Sequence, residues 1–364
     1  MVRRVKEVAA SADRLNQYQL LGEAGRGSFC RVLLASSSEG SHAVKSFSRT
    51  ELQRSHVARF NAEGVRTVPL GVSLEEELRI LSKLSHPHVI SLQEVIDDPR
   101  HDSIYVILEG LPGGQLMDWK RECCAYSVAS AAAGSWGSAV QDCDSRLDSQ
   151  REVLVFQEIL ARYFCRQLAE GIEHMHRQSV IHKDLKPDNL VLSRPIPADR
   201  RCVRVLGLAA WPQLSGSGGC SPELPGAELL QLLREHALQV KIADFNSAEE
   251  CAPPRCLIYD AQGTQHFTPP ECFLGSDLGV PGKPRDMWSL GCVLFVLLFG
   301  HCPFWAEENN LLLQLNILSD KQVEMPTGGP ELSAAVLQLL QSLLSKDAAK
   351  RPSAEGVLQS SWLK

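Results

Sequence analysis

The stretch His182-Lys183-Asp184-Leu185-Lys186-Pro187-Asp188-Asn189 lies just past the middle of the 364-residue chain and follows the apolar pair Val180-Ile181. It carries a carboxylate at position 184, an ammonium group at 186 and a side-chain amide at 189. A carboxylate can accept a proton, and carboxylate and amide oxygens can bind a hard cation such as magnesium. The stretch therefore predicts either a catalytic loop or a charged surface loop, and the rest of the chain decides between them.

The order His-x-Asp, with an Asn five residues after the Asp, resembles the catalytic loop of protein kinases, H-R-D-L-x-x-x-N. That resemblance implies that Asp184 accepts or orients the proton of an attacking hydroxyl group and that Asn189 reaches a magnesium ion. It also implies that Lys186 lies near the transferred phosphoryl group, and a lysine there is typical of the serine/threonine branch. Eight residues in register favour the catalytic loop over a chance surface loop.

A strand-turn-strand pattern near the N-terminus carries Gly25-x-Gly27-x-x-Cys30-x-Val32, which resembles the glycine-rich loop of kinases with a cysteine in place of the third glycine. Glycines in such a loop let backbone amides approach phosphate oxygens. The pattern alone is weak, because glycine-rich hairpins are common. Its position ahead of His42-Ala43-Val44-Lys45, which resembles the V-A-I-K strand, makes it strong.

The resemblance then assigns residues to the nucleotide. Lys45 would contact the α- and β-phosphates, and a partner for it is predicted in the helix that follows. That helix has apolar residues at 74, 78, 81 and 84, a helical period, and in register its Glu77 should pair with Lys45. The alternative is that Glu75, Glu76 and Glu77 all lie on a solvated face.

The apolar segment Ile104–Leu108 predicts a buried strand that leads into a hinge at 109–114. By resemblance Leu108 is the gatekeeper, residues 109–111 face adenine, and Val191 closes the floor of the adenine site. The residues expected to contact ATP are Gly25, Gly27, Val32, Ala43, Lys45, Leu108, Glu109, Leu111 and Val191.

A second metal ligand is expected in Val240-Lys-Ile-Ala-Asp-Phe-Asn246, where Asp244 would bind magnesium and Phe245 would pack under the helix that carries Glu77. Asn246 stands where the family has glycine. Asparagine is the non-glycine residue that best tolerates a positive φ, so we expect only a mild perturbation there.

The segment Gly263–Glu271 resembles the family's G-T-x-x-x-x-A-P-E, with Pro269 in place of alanine. The resemblance implies that Thr264 hydrogen-bonds Asp184. It implies two scaffold contacts as well, an ion pair between Glu271 and Arg351 and a hold of Asp286 on the catalytic-loop backbone.

The fold class implied is α+β, a bilobal protein-kinase fold with a small β-rich N-lobe at 18–108, a hinge at 109–114 and a larger helical C-lobe at 115–364. Residues 1–17 form a polar N-terminal extension, interpreted as a frayed helix. The kinase domain then occupies residues 18–364, from Tyr18 onward.

Three insertions interrupt the domain, at about 48–72, 122–151 and 194–237. The first is polar. The second is rich in serine, alanine, glycine and cysteine without a period, which predicts disorder. The third contains five prolines and one short helical candidate, and its alternatives are a tolerated surface loop or a partner-docking segment. Helices are expected at 156–178, 309–319, 331–345 and 353–363.

Composition narrows the class of protein. The chain is 44% hydrophobic and 22% charged with a net charge of −6, so it offers no bulk electrostatic case for nucleic acid or membrane binding. No apolar run reaches the ~18 residues of a spanning helix, and the N-terminus lacks the pattern of a secretory signal. Twelve cysteines without a C-x-x-C pair indicate reduced thiols rather than a zinc site. We expect a cytoplasmic location, with the nucleus as the alternative.

Taken in order from Tyr18 to Leu363, these motifs resemble a eukaryotic serine/threonine protein kinase that uses ATP and Mg²⁺ and acts on a protein substrate with a Ser/Thr acceptor. Local stretches such as Leu92–Pro99 and Gly300–Phe304 resemble the calcium/calmodulin-dependent protein kinase kinases, which phosphorylate activation loops of other kinases. Because the chain stops at Lys364, directly after the last predicted helix, calmodulin control from this chain is not expected.

Two other functions stay open. Cys30, Lys183 and Asn246 depart from the family pattern and would suit a pseudokinase that binds nucleotide as a scaffold or regulatory module. An interaction protein working through its insertions is the third candidate. Lys183 replaces an arginine that reads a phosphorylated activation segment bidentately, so we expect weaker dependence on phosphorylation of residues 247–264.

Overall fold

The structure is a computed structural model, and the elements below are numbered in chain order. It describes residues 3–5, 8–9, 11, 13–27, 29–61, 63–120, 125–128, 152–195, 203–207, 228, 231, 233, 235–253, 255–260, 262–274, 278–306, 309–326 and 332–364.

A seven-stranded sheet dominates the first third of the chain, with strand order β1-β8-β9-β5-β4-β3-β2. All of its pairings are antiparallel except that of β1 with β8. The elements are β1 (Arg3–Val5), β2 (Arg14–Leu15), β3 (Tyr18–Arg26), β4 (Cys30–Ser37), β5 (Gly40–Ser48), α1 (Arg49–Arg54), β6 (His56–Asn61), β7 (Gly64–Pro69), α2 (Leu70–Lys83), β8 (Leu92–Asp97) and β9 (Ser103–Glu109).

The interpretation of residues 1–17 as a frayed helix is wrong, because they contribute two strands to the sheet. Arg3–Val5 lies parallel to β8, with Val5 opposite Ile96, and Val5 packs on the apolar cluster that contains Ile96. Leu15 in β2 is 1% exposed. These few apolar side chains in a polar stretch are buried by the sheet, and burial favours extended pairing over an isolated short helix.

The helix predicted from the apolar period at 74, 78, 81 and 84 is confirmed as α2, and all four leucines are buried. The first insertion is ordered where the structure describes it. It holds α1, whose Leu52 is buried and whose first turn is capped by Ser48, and the hairpin β6–β7.

After β9, more of the residues in regular elements are in helices than in strands, as the α+β prediction requires. The strands of this part are short: β10 (Met117–Lys120), β11 (Ala125–Val128), β12 (Glu152–Phe156), β13 (Val180–Ile181), β14 (Leu190–Leu192), β15 (Val203–Gly207), β16 (Val240–Ile242), β17 (Glu249–Glu250), β18 (Leu257–Ile258) and β19 (Val280–Pro281). The helices of this part are α3 (Glu158–Arg177), α4 (Pro270–Phe273), α5 (Gly282–Phe299), α6 (Asn310–Leu318), α7 (Ala334–Leu343) and α8 (Ala354–Leu358).

Helix α5 contributes a long buried segment to the main apolar core, which also contains the buried leucines of α2. Residues from Arg285 to Phe299 are all buried, including Trp288 at 0% exposure. Gly291 permits the close approach of α7, because a Cβ added there would lie 2.8 Å from the Cβ of Leu343. The helix ends at Gly300, whose φ of +76° suits a glycine cap. The expected helices α3, α6 and α7 are confirmed within a few residues, whereas α8 is shorter than the predicted 353–363.

Parts of the second and third insertions are strands. Ala125–Val128 pairs with β10, so the prediction of disorder for 122–151 is wrong at these residues. Tyr126 explains the difference, since its ring is buried and its N–H donates to the carbonyl of Gly300 at 2.6 Å. Strand β15, inside the insertion 194–237, pairs with β12. The other residues of 122–151 lie outside the described part of the chain. In the described ranges, no helix combines the length and apolar character needed to cross a membrane.

Candidate active site

The catalytic loop is fixed from below by Asp286 of α5. This side chain is fully buried and accepts hydrogen bonds from the backbone N–H groups of His182 and Lys183, each at 3.0 Å. Burial opposes ionisation of Asp286, but the hydrogen bond with His176 and the contacts with His182 outweigh it and lower its pKa. The predicted hold of Asp286 on the loop backbone is confirmed.

Asp184 lies at the centre of a hydrogen-bonded set. Its Oδ1 accepts from both the backbone N–H and the hydroxyl of Thr264, at 2.8 Å each, as predicted. The ammonium group of Lys186 lies 3.0 Å from Asp184 Oδ2 and donates to the Thr264 hydroxyl at 2.8 Å. Burial of Asp184 favours its neutral form, yet Lys186 and Thr264 outweigh that effect and keep its pKa below the usual value. The carboxylate is therefore ionised at neutral pH.

Lys45 of β5 meets two carboxylates. Its Nζ donates to Glu77 Oε1 at 3.0 Å and to Asp244 Oδ1 at 3.2 Å. Burial by itself would lower the pKa of Lys45, but the two carboxylates raise it above its ordinary value. Glu77 is 8% exposed, whereas Glu75 is exposed, so the predicted pairing is confirmed and the solvated-face alternative fails for Glu77.

Asp244, and not Asn246, takes up the unusual backbone conformation after β16. Asp244 has a φ of +62°, while Asn246 lies in the short 3-10 turn Phe245–Ser247 and has no positive φ. The expectation that asparagine serves there by tolerating positive φ is wrong. Phe245 is 1% exposed, its turn contacts α2 as predicted, and its ring packs against His182 at a centroid distance of 4.9 Å.

The donor set fits a magnesium ion. Both side-chain hydrogen bonds of the Asn189 amide nitrogen go to Asp184, at 2.8 and 3.2 Å, which leaves the amide oxygen for a cation. The Asp244 side chain is 38% exposed although one of its oxygens contacts Lys45. Carboxylate and amide oxygens are the hard ligands that Mg²⁺ prefers.

The glycine-rich loop is formed by the turn between β3 and β4. A Cβ added at Gly25 would meet nothing within 4 Å, and one at Gly27 would lie 3.3 Å from Cys30 Sγ. Burial raises the pKa of the Cys30 thiol. Val32, opposite Lys45 in the β4–β5 ladder, is half-buried, and Ser28 lies outside the described residues.

The expected adenine contacts are brought to one region. Ala43 lies opposite Leu108 in the β5–β9 ladder, and Ala43, Leu111 and Val191 are partly buried against the core that includes Leu108. The Glu109 carboxylate lies 2.9 Å from Lys241 Nζ and accepts from the Ser91 N–H, and the Glu109 N–H donates to the Ser91 carbonyl at 3.1 Å, so both of these groups of Glu109 are already engaged. These side chains can form an apolar slot next to Lys45.

Several contacts could not be expected from the motifs. Lys183 binds Glu249 and Asp260 of the activation segment, and Tyr126 donates to Asp188 Oδ2 at 3.0 Å. The signal available in the sequence was the acidic character of the segment. The predicted Glu271–Arg351 ion pair is present and bidentate, at 2.6 and 2.8 Å.

Cys251 and Cys256 form a disulfide within the activation segment, so the prediction of reduced thiols is wrong for this pair. The reason is local, because a turn in which the Cys256 N–H donates to the Ala252 carbonyl brings the two Cα atoms within 4.5 Å. Five other described cysteines are free thiols: Cys30, Cys165, Cys272, Cys292 and Cys302.

Comparison with known proteins agrees with this geometry. The family model described as "Protein kinase domain" matches residues 18–363. The chain is 26% identical over 355 residues to the serine/threonine-protein kinase GRIK2 of Arabidopsis thaliana, covering 96% of this chain and 66% of the relative. It is 27% identical over 361 residues to the serine/threonine-protein kinase ssp1 of Schizosaccharomyces pombe, covering 96% and 44%.

A third relative is the calcium/calmodulin-dependent protein kinase kinase of Caenorhabditis elegans, 26% identical over 362 residues that cover 96% of this chain and 53% of the relative. The chain thus spans 44–66% of the length of these curated relatives. Since a single family model accounts for nearly all of its residues, the chain belongs to the protein kinase family, among relatives named as serine/threonine kinases.

Proposed function

We propose that this kinase transfers the γ-phosphoryl group of ATP to a serine or threonine hydroxyl of a protein. The observation that supports this most is the convergence of Asp184, Lys186 and Thr264 in one hydrogen-bonded set. A second group, Lys45 with Glu77 and Asp244, supplies the charges that a polyphosphate requires. Every residue type that phosphoryl transfer needs for positioning and charge neutralisation is therefore present.

Lys45, Asp244 and Asn189 would hold ATP and Mg²⁺. MgATP supplies the phosphoryl group and a neutralised leaving group when bound. Glu77 keeps Lys45 pointed into the site, because the ammonium is held at 3.0 Å. Leu108, Ala43 and Val191 are proposed to pack on the adenine, and Gly25 and Gly27 to admit phosphate oxygens to the backbone.

Asp184 is proposed to orient the attacking hydroxyl. Its lowered pKa makes it a weak proton acceptor before the reaction, since an efficient general base has a pKa near the working pH. It is better suited to accept the hydroxyl's hydrogen bond, align the oxygen, and take the proton as the bond to phosphorus forms. Lys186, 3.0 Å away, is placed to neutralise charge on the transferred group.

We further propose that the substrate is another protein kinase, phosphorylated on its activation loop in the cytoplasm. The support is the name of the Caenorhabditis elegans relative, a kinase of kinases, together with the local stretches that resemble that group. Calmodulin is not part of this proposal.

The chemical assignment is tested by Asp184→Asn. We expect phosphotransfer to a generic basic protein to fall by about 100-fold or more, with MgATP binding retained. Asp320→Asn is the matched control, because Asp320 is an exposed carboxylate outside the site. Undiminished transfer by the Asp184 variant would overturn the assignment, and tight nucleotide binding without any turnover by the unaltered protein would support the pseudokinase alternative.

The substrate proposal is tested with an array of peptides from kinase activation loops, each paired with its Thr→Ala variant. Selective phosphorylation of a subset at the activation-loop threonine is the expected result. Equal phosphorylation of these peptides and of unrelated threonine peptides would contradict the proposal, while leaving the chemical assignment intact.

A further inference from the structure

Lys183 is buried beneath the activation segment and uses its ammonium group to hold both ends of it. Its side chain is 0% exposed, and Nζ lies 2.9 Å from Glu249 Oε2, 2.8 Å from Asp260 Oδ2 and 3.0 Å from Asp260 Oδ1. Glu249 begins strand β17, and Asp260 follows β18. One cation of the catalytic loop thus connects the start and the end of the segment.

Arg285 completes this group, which we call the Lys183 cluster (Lys183, Glu249, Asp260 and Arg285). The guanidinium is fully buried, donates to the Asp260 backbone carbonyl at 2.9 Å and lies 3.7 Å from the Asp260 carboxylate. It also donates to the carbonyls of Lys183 and Gln262. Two cations face two carboxylates, so the cluster is neutral without any added charge. Partnered charges of this kind are stable in an interior, whereas a single one would not be.

The activation segment has few groups that could be phosphorylated. Between Asp244 and Gly263 the only hydroxyl-bearing residues are Ser247 and Tyr259. The Ser247 hydroxyl donates to Asn246 Oδ1 at 3.0 Å, and the Tyr259 ring lies against Gly279, where an added Cβ would be 2.9 Å from Cε1. Lys183 contacts neither residue, and its donors are already directed to Asp260 and Glu249.

The cluster is joined directly to the catalytic set. Gly263 has a φ of +122°, and a Cβ there would lie 2.5 Å from the Lys183 carbonyl and 3.5 Å from Asp184 Oδ1. Only glycine fits at position 263, between the cluster and Asp184, because any side chain there would clash with the Lys183 carbonyl. The next residue, Thr264, donates both of its hydrogen bonds to Asp184. Because Asp260 and Thr264 are only four residues apart, the position of Asp260 restricts the position of Thr264.

We propose that Asp260 is a built-in substitute for a phosphorylated residue, so that the Lys183 cluster holds the activation segment in its working position without phosphorylation. Asp260 is a positioning residue that acts on Asp184 through Thr264. This inference rests on the proposed function, since it concerns how the phosphotransfer site is ordered. A carboxylate suits a lysine partner, because the ammonium is a compact point charge and lacks the guanidinium fork that would match a phosphate bidentately.

The test compares Asp260→Asn with Asp260→Glu, which keeps the charge, and with Asp98→Asn as the matched control. Asp98 is also a buried carboxylate paired with an arginine, Arg100, but it lies in the sheet region away from the site. Hydrogen–deuterium exchange over residues 249–264 and steady-state phosphotransfer with MgATP and a basic protein are measured for each. The unaltered kinase and the Ser247→Ala/Tyr259→Phe variant are assayed before and after treatment with a broad-specificity protein phosphatase.

We expect Asp260→Asn to exchange faster across 249–264, to lose about 10- to 100-fold in kcat, and to keep its KM for ATP, because a small misplacement of a catalytic group has effects of this size. Asp260→Glu should recover much of the rate, and Asp98→Asn should change neither readout. The unaltered kinase and the Ser247→Ala/Tyr259→Phe variant should both remain active after phosphatase treatment.

Unchanged exchange over 249–264 in Asp260→Asn would overturn the proposal, even if the unaltered protein transferred no phosphate. Faster exchange with an unchanged kcat would overturn the positioning role, and so would a large loss of activity after phosphatase treatment. Absence of transfer by the unaltered protein would instead count against the proposed function, with the exchange measurement still deciding whether Asp260 holds the segment.

Discussion

Glu77 is the one glutamate of three neighbours on α2 that pairs with Lys45. Its neighbours Glu75 and Glu76 are of the same residue type, but only Glu77 is buried and within 3.0 Å of Lys45. The apolar period of α2 fixes which side chain turns inward. A role in orienting Lys45 is therefore specific to this position.

We predict that Glu77→Gln lowers the rate of phosphotransfer by about 10- to 100-fold, because the ammonium of Lys45 loses one of its two charged partners, the one that fixes it on the α2 side. Glu75→Gln is the matched control on the same helix, and its side chain is 61% exposed. Steady-state kinetics of the two variants check this. Similar losses for both would contradict the assigned pairing.

His301, directly after α5, gives the molecule a pH-dependent stability. Burial lowers its pKa from 6.5 to about 4, although its contact with the Cys302 carbonyl opposes the shift. Below pH 6.5 the unfolded chain gains a proton that the folded chain does not take up until about pH 4. Stability is therefore full above pH 6.5 and declines as the pH falls through this window.

We predict that this single histidine removes about 2 kcal/mol from the free energy of unfolding between pH 7 and pH 5. Urea unfolding at the two pH values measures it. His301→Gln should reduce the difference by that amount, whereas His236→Gln, which alters an exposed histidine, should not. An unchanged pH dependence in the His301 variant would contradict the prediction.

At the scale of elements, a disulfide closes a short loop within the activation segment. The Cys251–Cys256 disulfide spans a short loop between β17 and β18, and both cysteines pack with Ile181, Ile258 and Val280. The loop is thus tied both covalently and by apolar contacts.

We predict that a non-reduced tryptic digest contains one species in which the peptide ending at Arg255 is linked to the peptide beginning at Cys256, because trypsin cleaves between the two cysteines. Reduction should separate them. Cys292 is the internal control, since this buried free thiol should be alkylated on denaturation without a reductant. Alkylation of Cys251 and Cys256 under those same conditions would refute the disulfide.

At the scale of the whole molecule, the third insertion pairs with the segment that directly follows the second. Strand β12 follows the second and β15 lies within the third, and the pair forms a two-stranded sheet. Leu233, also in the third insertion, is 0% exposed and belongs to the main core. This insertion is therefore part of the folded domain where the structure describes it.

We predict that replacing residues 194–237 by a short turn between β14 and β16 lowers the melting temperature but preserves phosphotransfer. The deletion removes β15 and the buried Leu233, and loss of one buried leucine side chain alone costs about 2–5 kcal/mol. A deletion of 208–227, which keeps β15 and Leu233, should be milder. Equal melting temperatures for the two deletions would contradict the structural role, and loss of transfer would assign the insertion to catalysis.

Residues within a few positions of one another in ordered motifs were predictable, because local spacing fixes their geometry. Asp184, Lys186 and Asn189 occupy one loop, and the apolar period of α2 selected Glu77. Contacts such as β12 with β15, β1 with β8 or Lys183 with Asp260 join segments that are far apart in sequence. Their pairing depends on how the whole chain packs, and no local period reports that.

The Lys183–Asp260 pair has a consequence for how the activity of this enzyme can be switched on and off. A phosphoryl group can be added and removed in seconds, but an aspartate is genetically encoded and remains for the lifetime of the polypeptide. An enzyme whose segment is held by such a residue has no rest state to which a phosphatase can return it. If Asp260 acts as proposed, we expect the output of such an enzyme to depend on how much of it is made, how fast it is degraded, and which proteins are brought to it.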